Sequence, residues 1–115
     1  MSESTSSVTE ISTVEQKLLE GLAVEGIRKC YDPEIPVNIY DLGLVYDVRV
    51  DARAEATITM TLTSPYCPAA QTLPKDVDAR VRAVPGIRDV HVNVVWEPTW
   101  NPSMMTEAAK LELGF

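Results

Sequence analysis

The feature that most constrains the fold of this 115-residue chain is a run of alternating side chains between residues 56 and 63. Apolar residues stand at the even positions and threonines at the odd ones: Ala56, Ile58, Met60 and Leu62 against Thr57, Thr59, Thr61 and Thr63. Successive side chains of a strand point to opposite faces of a sheet, whereas a helix repeats its apolar positions every three or four residues. The run therefore predicts a strand with one buried face and one polar face.

Two neighbouring segments alternate in the same way. The first has apolar side chains at Leu44, Tyr46, Val48 and Val50. Only residues 51–55 connect it to the threonine strand, so we expect an antiparallel hairpin. A third strand is predicted later in the chain by Val90, Val92, Val94 and Trp96.

Helical spacing predicts a helix before the hairpin. Thr13 and Gln16 have the spacing of a capping box, and Pro33 disfavours the α conformation of the residue before it, so the helix should run from Thr13 to about Tyr31. Two apolar stripes follow its length: Val14, Leu18, Leu22 and Leu19, Ala23, Ile27, Cys30.

A second helix is predicted between the hairpin and the third strand. Its apolar positions are Leu73, Val77, Val81 and Val84, and Pro85-Gly86 should end it. Pro74 either kinks this helix or lies in the first turn of a helix that restarts there. A short helix after Pro102 is expected in the C-terminal extension.

These elements predict a two-layer α/β (α+β) domain with the order α-β-β-α-β and a three-stranded mixed sheet. The strand–helix–strand crossover should be right-handed and its two strands parallel. Residues 1–12, rich in Ser, Thr and Glu, are expected to be a disordered tail ahead of a single domain at 13–115. We expect one sheet face to be buried under Leu18, Leu22, Val77 and Val81, with the strand residues Leu44, Tyr46, Val48, Ile58, Met60, Leu62, Val92 and Val94.

Composition excludes several classes of protein. The net charge of −7 disfavours nucleic acid or an anionic membrane as a partner, and a cytoplasmic protein is expected, since the N-terminus has no basic and apolar signal-peptide pattern. With two cysteines and one histidine, one chain cannot form a disulfide scaffold, a zinc site built from four cysteines or from two cysteines and two histidines, or an all-cysteine iron–sulfur site.

Cys67 is the most informative residue for function. It lies in TSPYCPAA, between a predicted strand and a predicted helix. If Pro68 is the first helical residue, Cys67 occupies the N-cap, where free N–H groups and the helix dipole favour a thiolate. The alternative is a small apolar residue in a buried turn, and the local sequence leaves both open.

The other chemical residues have structural interpretations. Cys30 lies on an apolar stripe and is expected in the core, and the acids Asp32, Glu34 and Asp41 fit a proline-stiffened loop. His91 should be exposed on the third strand. Trp96 and Trp100 are expected to anchor the tail to the core. No phosphate-binding loop or Ser–His–Asp signature is present, so no motif indicates an enzyme.

Three segments together resemble the SufT/PaaD-like metal–sulfur cluster assembly family: DPEIPVNIYDLGLVYDVRV (32–50), MTLTSPYCPAA (60–70) and PGIRDVHVNVVWEPTWNPSMMTEAAKLELG (85–114). The resemblance implies an α-β-β-α-β fold and a part in the maturation of iron–sulfur proteins. It implies that Cys67 is the functional thiol and that Asp32, Glu34, Asp41 and Thr63 occupy supporting motif positions. Cys30 matches no motif position.

Departures from the family patterns refine this placement. PaaD-type members carry a cysteine-rich C-terminal part, whereas this chain has no cysteine after Cys67, so the SufT-type branch fits better. The related scaffold domain of NifU has Cys-x-x-Cys at the corresponding turn, where this chain has Cys67 followed by Pro68, Ala69 and Ala70. One chain therefore offers a single thiolate at this turn.

One thiolate leaves three ways to handle a cluster, because four protein thiolates usually hold one. Two subunits could share a cluster, with a small thiol as a further ligand. Cys67 could bind one iron of a cluster while a partner protein supplies the remaining ligands. Alternatively, the protein could present apo-targets without binding iron. We favour the last two: a carrier or targeting adaptor without turnover chemistry, with a transient cluster at most. Its expected partners are assembly proteins and apo-targets.

Other functions remain open at this level. Cys67 could be the nucleophile of a thiol-dependent redox protein, although no adjacent cysteine or histidine supports it. The chain could also be an accessory protein of a phenylacetate-type oxygenase, or a purely structural interaction module. The threonine-rich sheet face offers little apolar area, so we expect a monomer or a weak homodimer.

Overall fold

The computed structural model describes residues 10–31, 35–63 and 72–114. Two helices and three strands follow the predicted order: α1 (Thr13–Ile27), β1 (Val45–Val50), β2 (Glu55–Met60), α2 (Leu73–Arg82) and β3 (Asp89–Val94). A 3-10 turn (Pro102–Met104) and a third helix, α3 (Glu107–Leu113), form the predicted C-terminal extension.

β2 is the central strand of a three-stranded mixed sheet with the order β1-β2-β3. It pairs antiparallel with β1 and parallel with β3, as expected for a hairpin followed by a crossover. The hairpin turn is held by Asp51, whose carboxylate accepts hydrogen bonds from the N–H groups of Arg53 and Glu55. The predicted mixed sheet is therefore confirmed.

The alternation of β2 is confirmed by burial. Ala56, Ile58 and Met60 are fully buried, whereas Thr57 and Thr59 on the opposite face are half-buried. Thr61, just after the strand, departs from this pattern and is buried. Its N–H donates to the carbonyl of Leu44 at 2.7 Å, which holds it beside the start of β1.

β1 departs from simple alternation because it contains a β-bulge. Val45 pairs with Met60 and Asp47 with Thr59, so one extra residue, Tyr46, lies between two consecutive pairs. Tyr46 was predicted on the core face with Val48. Its hydroxyl instead donates to the carbonyl of Pro98, at 2.7 Å, in the C-terminal extension.

The prediction for the buried side of α1 is wrong. Leu18 is 62% exposed and Leu22 is exposed as well, while the other stripe, Leu19, Ala23 and Ile27, is buried. The two stripes lie about 100° apart on the helix, so only one can face the sheet. Gly26 lies against α2, where a Cβ would be 3.2 Å from the carbonyl oxygen of Arg80, so the glycine allows the two helices to pack closely. The predicted face of α2, with Val77 and Val81, is confirmed as buried.

Both ends of α1 also differ from the prediction. The N-cap is Ser12, whose hydroxyl accepts the N–H of Glu15, so the cap lies one residue earlier than predicted. Ile11 precedes it, packs against the core and donates its N–H to the carbonyl of Ala52. The helix ends at Ile27, four residues before Tyr31.

The C-terminal extension packs on the segment that leads into β1. The indole Nε1–H of Trp100 donates to the carbonyl of Leu42 at 2.7 Å, and the N–H of Thr106 donates to the carbonyl of Asp41. Gly43 has φ +83°, and a Cβ on it would lie 2.4 Å from the carbonyl oxygen of Met104. Trp100 is thus an anchor, as predicted, whereas Trp96 remains exposed.

We expect Ser12→Ala to lower the free energy of unfolding by about 1 kcal/mol, because the first turn of α1 loses its side-chain cap. Thr13→Ala is the matched control and should change stability little, since the hydroxyl of Thr13 does not cap the helix. Urea unfolding monitored by circular dichroism measures both. A larger loss of stability for Thr13→Ala than for Ser12→Ala would show that Thr13, and not Ser12, caps the helix.

We expect Gly43→Ala to destabilise the domain by more than about 2 kcal/mol, because it adds a clash with the backbone of Met104 to the strain of a positive φ. Gly114→Ala is the matched control: Gly114 has φ +81° but no atom within 4 Å of the added Cβ. The fluorescence of Trp100 should change in Gly43→Ala only. Equal stability losses in the two variants would show that the contact with Met104 is unimportant.

Candidate functional site

Several motif segments meet at one end of the sheet. β2 ends there beside the start of β1, with the N–H of Thr61 bonded to the carbonyl of Leu44. β3 ends there too, since the N–H of Val95 donates to the carbonyl of Met60. The Asp-Leu-Gly segment at 41–43 and the Leu-Thr pair at 62–63 therefore lie at the same end, which we call the motif end.

The helices reach the same end. α1 starts at the hairpin turn, where Ile11 contacts Ala52, and runs toward the motif end. Just after α1, the carbonyl of Cys30 accepts the N–H of Ile39, at 2.9 Å, in the loop that precedes β1. The crossover makes α2 run antiparallel to β2 and β3, so its first turn is also at the motif end.

Asp41 is held by contacts within the protein. Its carboxylate accepts hydrogen bonds from Asn38 at 2.9 Å and from the guanidinium of Arg28 at 3.1 Å. Its own N–H donates to the side chain of Asn38, and its carbonyl accepts the N–H of Thr106. Asp41 therefore ties the end of α1, the loop before β1 and the C-terminal extension together, and its carboxylate oxygens are occupied.

Of the other predicted site residues, the structure describes only Thr63. Thr63 is exposed at the motif end, immediately after the buried Leu62. Asp32, Glu34 and Cys67 lie outside the described residues, so their predicted roles stay predictions. The structure brings Asp41 and Thr63 to the same end of the sheet.

The helix that carries Val77 and Val81 does not begin at Pro68. α2 starts at Leu73, its N-cap is Thr72, and Pro74 lies in its first turn. Of the two predictions for Pro74, its place in the first turn of a helix is confirmed. Cys67 therefore precedes the N-cap of α2 by five residues and is not that cap.

Cys30 is confirmed as a core cysteine. Its side chain is 3% exposed and belongs to the main hydrophobic cluster. Burial raises the pKa of the Cys30 thiol, and the nearby carboxylate of Asp76 raises it further, against a smaller opposite effect of Arg80. Burial and the raised pKa both lower the reactivity expected of the Cys30 thiol at neutral pH.

No resident metal site is formed by the part of the chain that the structure describes. Nowhere in residues 10–31, 35–63 and 72–114 do three His, Cys, Asp or Glu side chains form a group that could hold a metal ion. His91 is exposed, as predicted, and its Nε2 lies 3.7 Å from the carboxylates of Glu55 and Asp89 at the start of β2 and β3, opposite the motif end. Within the same residues, every helix is too short or too polar to cross a membrane.

The sequence reasoning missed the partners of Asp41. Arg28 and Asn38 give no signal in the sequence, because their role depends on the position of the loop relative to α1. Gly43 had a readable signal, because glycine is the residue that adopts a positive φ in a turn at no steric cost. These residues hold the loop at the motif end in place.

Comparisons with known proteins place the chain in a family. Residues 23–94 match the family model described as iron–sulfur cluster assembly protein. A Porphyromonas gingivalis protein named Fe-S protein maturation auxiliary factor is 53% identical over 92 residues, which cover 80% of this chain and 88% of that protein. A Staphylococcus aureus protein named Fe-S protein maturation auxiliary factor SufT is 43% identical over 83 residues, 72% of this chain and 94% of the relative.

A solved structure shares the fold. It is a domain of unknown function, DUF59, from Bacillus anthracis, with a TM-score of 0.84 and 39% identity over 90% of this chain and 99% of that one. The resemblance carried by the Asp-Pro-Glu, Asp-Leu-Gly and Cys-Pro segments is thereby confirmed, and the chain belongs to the iron–sulfur cluster assembly protein family.

Proposed function

We propose that this protein is an auxiliary factor for the maturation of iron–sulfur proteins in the cytoplasm, acting as a cluster carrier or a targeting adaptor through Cys67. The iron–sulfur cluster is cargo in this proposal, and the protein performs no turnover chemistry of its own. Its partners are proteins that assemble clusters and the apo-proteins that receive them.

One observation carries the proposal: only one of the chain's two thiols is buried in the core. The chain is 53% identical over 92 residues to a protein named as a maturation factor. Cys30 is 3% exposed and its pKa is raised by burial. That leaves Cys67 as the candidate cluster thiol. It follows Thr63, at the motif end, by four residues.

The donor count supports a carrier or adaptor over a resident cluster site. The described residues contain no group of three metal-ligating side chains, and four protein thiolates usually hold a cluster. A single Cys67 thiolate could occupy one corner of a cluster while a donor or target supplies the other ligands. Such a shared arrangement favours transfer, because no step requires four bonds to this protein to break.

A thiol redox function is less well supported. Such a protein needs a resolving thiol or a base near its nucleophile. Cys30 is buried, and the single histidine, His91, lies at the opposite end of the sheet from Thr63. We therefore keep cluster handling as the proposed function.

The proposal predicts that Cys67→Ser abolishes the delivery of a cluster to an apo-target in an anaerobic transfer assay, with the fold unchanged by circular dichroism. Cys30→Ala is the matched control. It removes the other thiol while keeping the core apolar, so it should retain transfer despite some loss of stability. Recovery of target activity measures transfer.

Alkylation rates give a second measure of the same claim. Iodoacetamide should modify Cys67 faster than Cys30, since burial protects Cys30 and raises its pKa. Peptide mass spectrometry resolves the two sites. If Cys67 reacts no faster than Cys30 and Cys67→Ser still delivers clusters, the proposed role of Cys67 is wrong.

Asp41 has a positioning role in this proposal. Asp41→Asn keeps an oxygen that can accept the hydrogen bond from Asn38 but loses the ion pair with Arg28, so we expect most transfer activity to remain. Asp41→Ala removes both contacts and should lower the thermal midpoint by several degrees. Abolished transfer in a stably folded Asp41→Asn would show instead that the carboxylate binds the cargo.

A further inference from the structure

The outer edge of β1 has one unused position for strand pairing. The N–H of Asp51 donates to the carbonyl of Glu55, so residues 47, 49 and 51 direct their backbone groups to β2, and residues 48 and 50 direct theirs outward. The N–H of Val50 is held by the carboxylate of Glu20 at 3.0 Å. The N–H and carbonyl of Val48 have no hydrogen-bond partner among the described residues.

The side chains that flank Val48 carry opposite charges. Asp47 and Arg49 lie on the sheet face opposite the helices, paired with Thr59 and Thr57, and their side chains are 45% and 78% exposed. They form an ion pair at 2.8 Å within the strand. A partner strand on this edge would therefore meet one negative and one positive charge, two residues apart.

This edge is complementary to itself. Suppose that a second copy of β1 pairs antiparallel with the first, with Val48 opposite Val48. Asp47 then lies opposite Arg49 of the second copy, and Arg49 lies opposite Asp47 of the second copy. The four charges then alternate in sign around the symmetry axis. Opposite charges placed directly across two strands stabilise their pairing.

We propose that the outer edge of β1 is a homodimerisation surface, on which two copies pair through Val48 and through reciprocal Asp47–Arg49 contacts into a six-stranded sheet. This proposal is independent of the role of Cys67. A second copy fits because it supplies the complementary charges itself. A register about Val50 would also place Arg49 opposite Asp51, but its central pair needs the N–H of Val50, which Glu20 holds.

Space for the second strand lies beside α1. A groove along the edge is lined by Gln16, Lys17 and Glu20 of α1 and by β1. The next residue on this side of α1 is Gly21, beside which an added Cβ would find open space. Glu20 is the main obstacle, because its carboxylate occupies the N–H of Val50.

Glu20 makes the dimer weak. A ladder longer than the central Val48 pair needs the N–H of Val50, so Glu20 must release it before Val50 bonds to the carbonyl of Tyr46 in the second copy. Each chain also carries a net charge of −7, which opposes association. The dimer should therefore form only in the micromolar to millimolar range.

Sedimentation equilibrium with charge-reversed variants tests the register. We expect Asp47→Arg and Arg49→Asp each to weaken dimerisation about tenfold or more, because each turns two attractive contacts into two repulsive ones. The double variant Asp47→Arg with Arg49→Asp should restore the wild-type dissociation constant, because positions 47 and 49 again carry opposite charges across the two strands. Arg88→Asp, which makes the same charge change as Arg49→Asp at an exposed position outside the strands, is the control for that variant.

Glu20 gives an independent test. Glu20→Ala should strengthen the dimer by freeing the N–H of Val50, whereas Glu25→Ala, which removes a charge from an exposed position of the same helix, should strengthen it less. Circular dichroism verifies that the variants fold. A wild-type protein that stays monomeric at millimolar concentration, or a double variant that fails to restore dimerisation, overturns the proposal.

Discussion

The structure depends on the pairing of β2 on both of its edges. Its antiparallel ladder to β1 places the Asp-Leu-Gly segment beside Thr61, and its parallel ladder to β3 requires the crossover through α2. Because Ala56, Ile58 and Met60 fill the core from the central strand, both helices must cover the same sheet face. The convergence of motif segments at one end follows from these two ladders.

The C-terminal extension contacts all three residues of the Asp-Leu-Gly segment. Trp100 binds the carbonyl of Leu42, Thr106 binds that of Asp41, and Gly43 allows the backbone of Met104 to approach. In this chain the Asp-Leu-Gly segment is thus partly a docking platform for the chain's own C-terminal extension. The carboxylate of Asp41, a supporting motif position by resemblance, accepts hydrogen bonds from Arg28 and Asn38.

The proposed function follows from a shortage of ligands. A core cysteine with a raised pKa, an exposed histidine at the opposite end of the sheet and one further thiol cannot enclose a cluster, so this chain is suited to share one. A protein that holds its cargo by one corner depends on its partners for the remaining bonds. This dependence fits an auxiliary role between a donor and a target.

The sequence by itself determined the strands, the face of β2, the crossover, the core positions of α2 and the family, because these rest on local periodicity and on motif order. The tertiary structure decided which of two stripes on α1 is buried, since both have helical spacing and only the packing of α1 in the folded core selects one. It also decided that Tyr46 leaves the core pattern, because a bulge depends on the register of two strands. The partners of Asp41 are distant in sequence, at Arg28 and Thr106, so only the folded chain could bring them together.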